Sequence, residues 1–224
     1  MENIPAFYQE NDVLIFGCGG HGKTVLELVR SENILNPVAL VDDSVPAGTI
    51  IMGVPVVGGA QILGELYRRG LKKAINAVGG IGNVSTRISV FDMLSAAGFQ
   101  FPTVVHPTAF IEKSAILADG VQVLPKVYVG TESQLGFGCL INSGVIISHD
   151  CRLGRCVNLS PGAMLAGNVD IGDFAQVGMG VTININIHIG KYARIGNGAT
   201  VKKDVPDDTI VRAGSVWPSR NNQF

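Results

Sequence analysis

The stretch Ile141-Asn142-Ser143-Gly144-Val145-Ile146-Ile147-Ser148-His149-Asp150-Cys151-Arg152-Leu153-Gly154-Arg155-Cys156-Val157-Asn158-Leu159 decides the fold. Ile141, Ile147, Leu153 and Leu159 stand six residues apart, and four residues after each comes a small or β-branched residue: Val145, Cys151, Val157 and then Ala163. Outward from here the same phase runs through Val105, Ile111, Leu117, Val123, Val129 and Leu135 on one side. On the other side it runs through Leu165, Ile171, Val177, Ile183, Ile189, Ile195 and Val201, making seventeen hexapeptides over residues 105–206. A period of six matches neither a 3.6-residue nor a 3.5-residue helical repeat, and an unbroken internal repeat marks a solenoid. Each hexapeptide is read as one short strand plus a corner, three hexapeptides making one triangular coil, with coils stacked at the ~4.8 Å strand spacing. Aliphatic and small positions then fill the interior. Glycine often follows the aliphatic (Gly130, Gly136, Gly154, Gly172, Gly178, Gly190, Gly196), where the corner is expected to need positive φ.

The first hundred residues follow a different pattern. Val13-Leu14-Ile15-Phe16 reads as a strand that runs into Gly17-Cys18-Gly19-Gly20-His21-Gly22, and Val25, Leu28 and Val29 mark one face of a following helix. Val38–Val41 is a second strand ending at Asp42-Asp43. Residues 63–69 and 87–97 read as helices, and 74–78 as a third strand. Strands alternating with helices imply a small parallel sheet. The chain therefore divides into an α/β half-Rossmann (β-α-β) domain over residues 1–102 and a left-handed parallel β-helix over 103–224.

Composition bounds the function. Of 224 residues 46% are apolar and only 16% charged, so the chain folds rather than staying disordered. Lys plus Arg (17) nearly cancels Asp plus Glu (18), which leaves no basic field for nucleic acid or anionic lipid. Residues 44–64 carry no charge, but Pro46, Pro55 and five glycines would break a spanning helix, so the segment reads as loop and strand with no membrane insertion. The acidic start has no secretory n-region. The four cysteines show neither CxxC pairing nor zinc-finger spacing, and a reducing, cytoplasmic setting is expected.

The [LIV]-[GAED]-x-x-[STAV]-x hexapeptide, joined to an N-terminal Gly-x-Gly-Gly-His-Gly domain, resembles the sugar acetyltransferase family of left-handed β-helix hexapeptide acyltransferases. It looks most like the N-acetyltransferases of UDP-4-amino-sugars on the route to bacillosamine. Other members acetylate GDP-perosamine or O-acetylate sialic acid. The resemblance, which covers residues 13 to about 216, implies acetyl-CoA as donor, a homotrimer, and active sites between neighbouring subunits.

His149 is the third residue of its hexapeptide, a position that points outward. Asp150 beside it is suited to orienting the imidazole, and a base whose free form titrates near ~6.5 is suited to deprotonating a sugar amine. The resemblance implies that this His is the catalytic base, with Asp150 where Glu is the commoner partner. Gly167 lies one full coil beyond His149, and its amide is suited to an oxyanion; Ala166-Gly167-Asn168 resembles the family's oxyanion-binding segment. Met179 and Asn197, also one coil apart, belong to a different wall and are read as lining for the pantetheine arm. Asn158 stands where some relatives carry a His that touches the cofactor or the substrate. His188 has no acid in its own repeat and reads as surface or interface, His106 as structural, and Cys139 and Cys151 as packing.

Gly17, Gly19 and Gly22 satisfy the G-x-G-x-x-G pattern between strand and helix, which by itself suggests a dinucleotide. Only about a hundred residues precede the solenoid, so a half-Rossmann unit holding one nucleotide is the more economical reading. Backbone N–H groups at Gly19, Gly20 and His21 would cradle a diphosphate. The resemblance puts Asp42 and Asp43 at the nucleobase end, and Gly79 and Gly80 close the third strand near the same ligand. A zinc enzyme of the γ-carbonic anhydrase type needs three ligating histidines that this solenoid lacks, so no metal is expected. A non-enzymatic scaffold is the competing class; it would need neither a His–Asp pair below a glycine nor a nucleotide loop. C-terminal contacts with coenzyme A are not carried over, because Ala213–Arg220 departs from the family's closing segment.

Overall fold

A computed structural model describes residues 7–79, 82 and 84–219. The chain splits into two compact units, one of residues 1–79 with 83–104 and the other of 80–82 with 105–224. In the first unit, β1 (Asp12–Phe16), α1 (Gly20–Glu32), β2 (Asn36–Val41), β3 (Ile50–Ile51), β4 (Val54–Gly58), α2 (Leu63–Arg68), β5 (Lys73–Asn76) and α3 (Val84–Ala96) follow in order. The sheet order is β3-β4-β2-β1-β5, with β4, β2, β1 and β5 parallel. All five β1 residues are buried, as a central parallel strand covered on both faces requires. The segment read as loop and strand supplies two strands: β3 and β4 form an antiparallel hairpin that extends the sheet. The turn at Met52-Gly53 that joins them, with both φ positive, is what the uncharged glycine-rich composition conceals.

The second unit is a left-handed parallel β-helix of two-residue strands in three walls. The first wall stacks the strands at Val104, Gln122, Leu140, Asn158, Gln176, Arg194 and Ile210. The second stacks those at Phe110, Tyr128, Ile146, Met164, Thr182, Thr200 and Val216, and the third those at Ile116, Gln134, Arg152, Asp170 and His188. Register partners stand three hexapeptides apart, as Tyr128 does from Ile146 and Asn158 from Gln176. The aliphatic and small positions of the repeat form one core, from Val121 to Val211. Cys139 and Cys151 lie inside it, their thiols donating to the Gly154 and Ala166 carbonyls.

Two expectations are corrected. None of the glycines that follow the aliphatic has positive φ; that conformation falls two residues later, at Glu132, Asp150, Asn168, Asn186, Gly144, Gly162 and their equivalents. The following glycines serve close approach instead. A Cβ on Gly130, Gly172 or Gly178 would come within 2.7 Å of the next coil's backbone. At the left-handed position the N–H reaches the previous coil whether the residue is glycine or not, as Asp150 does to the Thr131 carbonyl at 2.9 Å and Gly144 to the Pro125 carbonyl at 3.0 Å. The second correction concerns phase. In the last coil Arg194 pairs with Ile210, Thr200 with Val216 and Ile189 with Val205, each partner arriving early, so the repeat starting at Val201 is two residues short. The phase then resumes at Val205, Val211 and Trp217. Trp217 packs against the core, and its Nε1 donates to the Asp204 carbonyl at 2.9 Å.

Candidate active site

His149 and Asp150 occupy the corner between the second and third walls. Both side chains are more than half exposed, and Nδ1 of His149 meets Oδ2 of Asp150 at 2.7 Å. Asp150 can do this because its own backbone is left-handed (φ 60), which turns its carboxylate back toward the preceding ring. With Nδ1 engaged by a carboxylate, Nε2 is the nitrogen left for proton transfer. Gly167, one coil on, is itself buried because the imidazole lies across it: a Cβ there would sit 2.5 Å from both Cε1 and Nε2 of His149. The Gly167 carbonyl accepts from the Asn186 amide at 3.1 Å, and the Asn168 amide donates to the His149 carbonyl at 2.9 Å. The Gly167 N–H has no hydrogen-bond partner among the described residues. The corner therefore joins an oriented imidazole to an uncommitted amide donor.

Cys151 is two residues from His149 but faces the interior. Burial pushes its thiol pKa up, outweighing the backbone and Ser133 hydrogen bonds that pull it down, and its thiol bonds to the Ala166 carbonyl inside the core.

Met179, Asn197 and Asn158 come together on a cavity of about 460 Å³, joined by Ser160, Arg194 and Arg212. Asn197 Oδ1 accepts from the Met179 amide at 2.9 Å, so the two are locked to each other across one coil. Asn158 occupies an outward position and is nevertheless buried, donating to Ser160 and accepting from Asn142. The two arginines escaped sequence reading for separate reasons. Arg194 stands in a column whose neighbouring members, Asn158, Gln176 and Ile210, carry no charge, and Arg212 lies beyond the phase shift of the last coil. This cavity borders the first wall and the corner between the first and second walls. His149 and Gly167 stand on the opposite edge of the second wall, and they do not line it.

His188 has the acidic partner that its own repeat lacks. Asp170, one coil earlier on the third wall, approaches its Nδ1 at 3.2 Å, and Asp204 accepts from its amide. The signal was the one-coil spacing between Asp170 and His188.

In the first unit, the parallel strands β1, β2 and β5 bring Gly19–His21, Asp42–Asp43 and Gly79 to one edge. Gly17 has φ +111 and packs on Ala77, and a Cβ on Gly22 would strike the Gly17 carbonyl. A Cβ on Gly19 or Gly20 would meet nothing within 4 Å, so the start of α1 is open where an anion would bind. Gly79 faces His21, with its Cβ position 3.9 Å from that residue's Cβ. Asp42 is committed to the loop: Oδ2 accepts from the Cys18 amide at 2.7 Å, and Oδ1 from the Ser44 amide and hydroxyl. Burial opposes ionisation of Asp42, and these hydrogen bonds outweigh it, holding its pKa below the ordinary 3.8. Asp43 accepts from the Ala60 amide. Buried Arg87 donates to the Asn76 and Val78 carbonyls, fixing the strand end beside Gly79. Gly80 lies outside the described residues.

Among the described residues, no group of three or more His, Cys, Asp and Glu could hold a metal ion, and no helix is long and apolar enough to cross a membrane.

Residues 12–94 match the PglD N-terminal domain family. Over 113 residues the chain is 31% identical to UDP-N-acetylbacillosamine N-acetyltransferase of Bacillus subtilis (strain 168), a match covering 50% of this chain and 51% of that relative. The chain thus matches about half the length of that curated relative. Among solved structures, PerB from Caulobacter crescentus in complex with CoA and GDP-perosamine superposes with TM-score 0.85 at 33% identity, covering 92% of this chain and 96% of that one. The acetyltransferase domain of PglB from Neisseria gonorrhoeae in complex with acetyl coenzyme A gives 0.85 at 31% identity, covering 92% and 98%.

Proposed function

This chain belongs to the β-helix sugar N-acetyltransferase family, and we propose that it moves the acetyl group of acetyl-CoA to the 4-amino group of a nucleotide-linked sugar, UDP-linked and of bacillosamine type. The single observation that carries the reading is the corner where the His149 ring, held by Asp150, lies against Gly167. In this mechanism the amine lone pair attacks the thioester carbonyl carbon. The new N–C bond forms as the amine proton passes to His149 Nε2, and the Gly167 N–H donates to the oxyanion. Collapse breaks the C–S bond, and coenzyme A leaves as a thiol by taking that proton back. The buried, raised-pKa thiol of Cys151 favours this direct transfer over an acyl-enzyme.

The open N-terminus of α1 would hold the nucleotide diphosphate through Gly19, Gly20 and His21, with Asp42 shaping the loop and Asp43 and Gly79 near the rest of the nucleotide. Acetyl-CoA would run along the cavity of Met179, Asn197 and Asn158, with Arg194 and Arg212 suited to its phosphates. Within one chain, that cavity and His149 flank opposite edges of the second wall. That wall exposes Phe110, Tyr128, Ile146 and Met164. A ring of three copies meeting through this apolar face would bring the His149 corner of one to the cavity of the next. GDP-perosamine as acceptor is the second reading, favoured by the high overlap with PerB.

The test is thiol release from acetyl-CoA against UDP-, dTDP- and GDP-linked 4-amino sugars and sialic acid. Turnover with a UDP-linked 4-amino sugar is expected. Turnover with sialic acid alone would overturn the reading and make the chain an O-acetyltransferase.

A further inference from the structure

The corner column that carries His149 and Gly167 continues one coil further to Ile185. The Asn186 amide donates to the Gly167 carbonyl at 3.1 Å, so Ile185 sits one coil spacing beyond the glycine. A second bond, from Asn168 Nδ2 to Asn186 Oδ1 at 2.8 Å, ties the two corners side chain to side chain. In the run Ile183-Asn184-Ile185-Asn186-Ile187, Ile183 and Ile187 are buried in the solenoid core. Ile185 is 55% exposed. The core has no use for it there, and its immediate neighbours on both sides are asparagines. This large apolar side chain stands in the open next in column after an oriented imidazole and an uncommitted amide, placed to meet the apolar part of a ligand that those two groups hold.

We propose that Ile185 is the specificity-determining contact for the acyl group, an inference that rests on the roles given to His149 and Gly167. A reacting acyl thioester presents a polar end and an apolar end. With its carbonyl oxygen on the Gly167 amide, the attacking amine on the His149 side and the sulfur leading back along the pantetheine, the carbon chain of the acyl group takes the remaining direction, toward Ile185. The branched side chain closes that space behind a methyl group and leaves none for a longer chain. One methylene in an apolar site is worth roughly 10- to 200-fold in discrimination.

The experiment compares kcat/KM for acetyl-, propionyl- and butyryl-CoA in the wild type, Ile185→Val and Ile185→Ala, with the nucleotide amino sugar saturating. Because Ile185 is exposed, both variants are expected to keep the wild-type melting temperature, which serves as the folding control. Ile185→Ala is expected to raise the butyryl-to-acetyl ratio by about tenfold or more. Ile185→Val should fall between, and the KM for the sugar nucleotide should not move. An unchanged ratio overturns the proposal. So does an equal rise in KM for all three donors, which would seat Ile185 against the shared pantetheine arm. A change confined to the sugar KM would seat it against the acceptor and overturn it likewise. Wild-type silence with every donor overturns the functional reading itself, and this inference with it.

Discussion

Gly167→Ala is the smallest perturbation that separates the imidazole from its place. The added Cβ would lie 2.5 Å from Cε1 and Nε2 of His149, about 0.9 Å inside the 3.4 Å where ordinary contact begins. The nearest obstacle is a side chain that is more than half exposed, so the ring is free to swing outward. Doing so breaks the 2.7 Å bond from Nδ1 to Asp150 and carries Nε2 away from Gly167. Backbone strain plays no part, because Gly167 does not occupy a positive-φ conformation. The fold should therefore hold, with stability within about 1 kcal/mol of wild type. A misplaced general base costs roughly 10²–10⁴ in rate, so about 2.7 kcal/mol or more of transition-state stabilisation is expected to go. The assay is thiol release under kcat/KM conditions, paired with thermal melts. A folded Gly167→Ala enzyme within about threefold of wild-type kcat/KM would refute the claim that ring placement on this glycine matters.

Asp150→Asn keeps a residue that accepts left-handed φ and so should fold, yet it loses the charged partner of Nδ1; a drop in kcat of about 10²-fold is expected, with donor KM unchanged. Gly178→Ala should lower stability by about 1–3 kcal/mol through its clash with the next coil at Asn197, measured by denaturant melts. Gly144→Ala, with φ +70 and open space around it, should cost only about 1 kcal/mol in the same assay. Asp42 has its folded pKa depressed, so its contribution to stability is present above the ordinary carboxyl value of 3.8 and is lost as pH falls through the lower folded value. Melting temperature against pH should fall in that acid window for the wild type, and Asp42→Asn should flatten that part of the curve.

The solenoid was legible because its interior admits only aliphatic and small side chains, a demand that repeats every six residues from Val105 to Val201. The corners were misread because their left-handed position is filled by Asp150, Asn168 and Tyr192 as well as by Gly162, so no glycine marks it. The glycines that do recur mark interlocking coils. The short last repeat was hidden for a related reason: Val205 is a good core residue in the wrong phase. At the site, His149–Asp150 was visible because the two are adjacent in sequence. His188–Asp170 and the cavity's arginines come together only across coils, and finding them needed the register. The β3–β4 hairpin was masked because its pairing, not its composition, makes it part of the sheet.

The most direct test of the central claim is the mass and NMR spectrum of the product formed from acetyl-CoA and a UDP-linked 4-amino sugar by wild type and by His149→Ala. The account predicts one added acetyl group, as an amide at C4, from the wild type, and no product above background from a folded His149→Ala variant. Acetylation at a hydroxyl, or equal turnover by the variant, would contradict it.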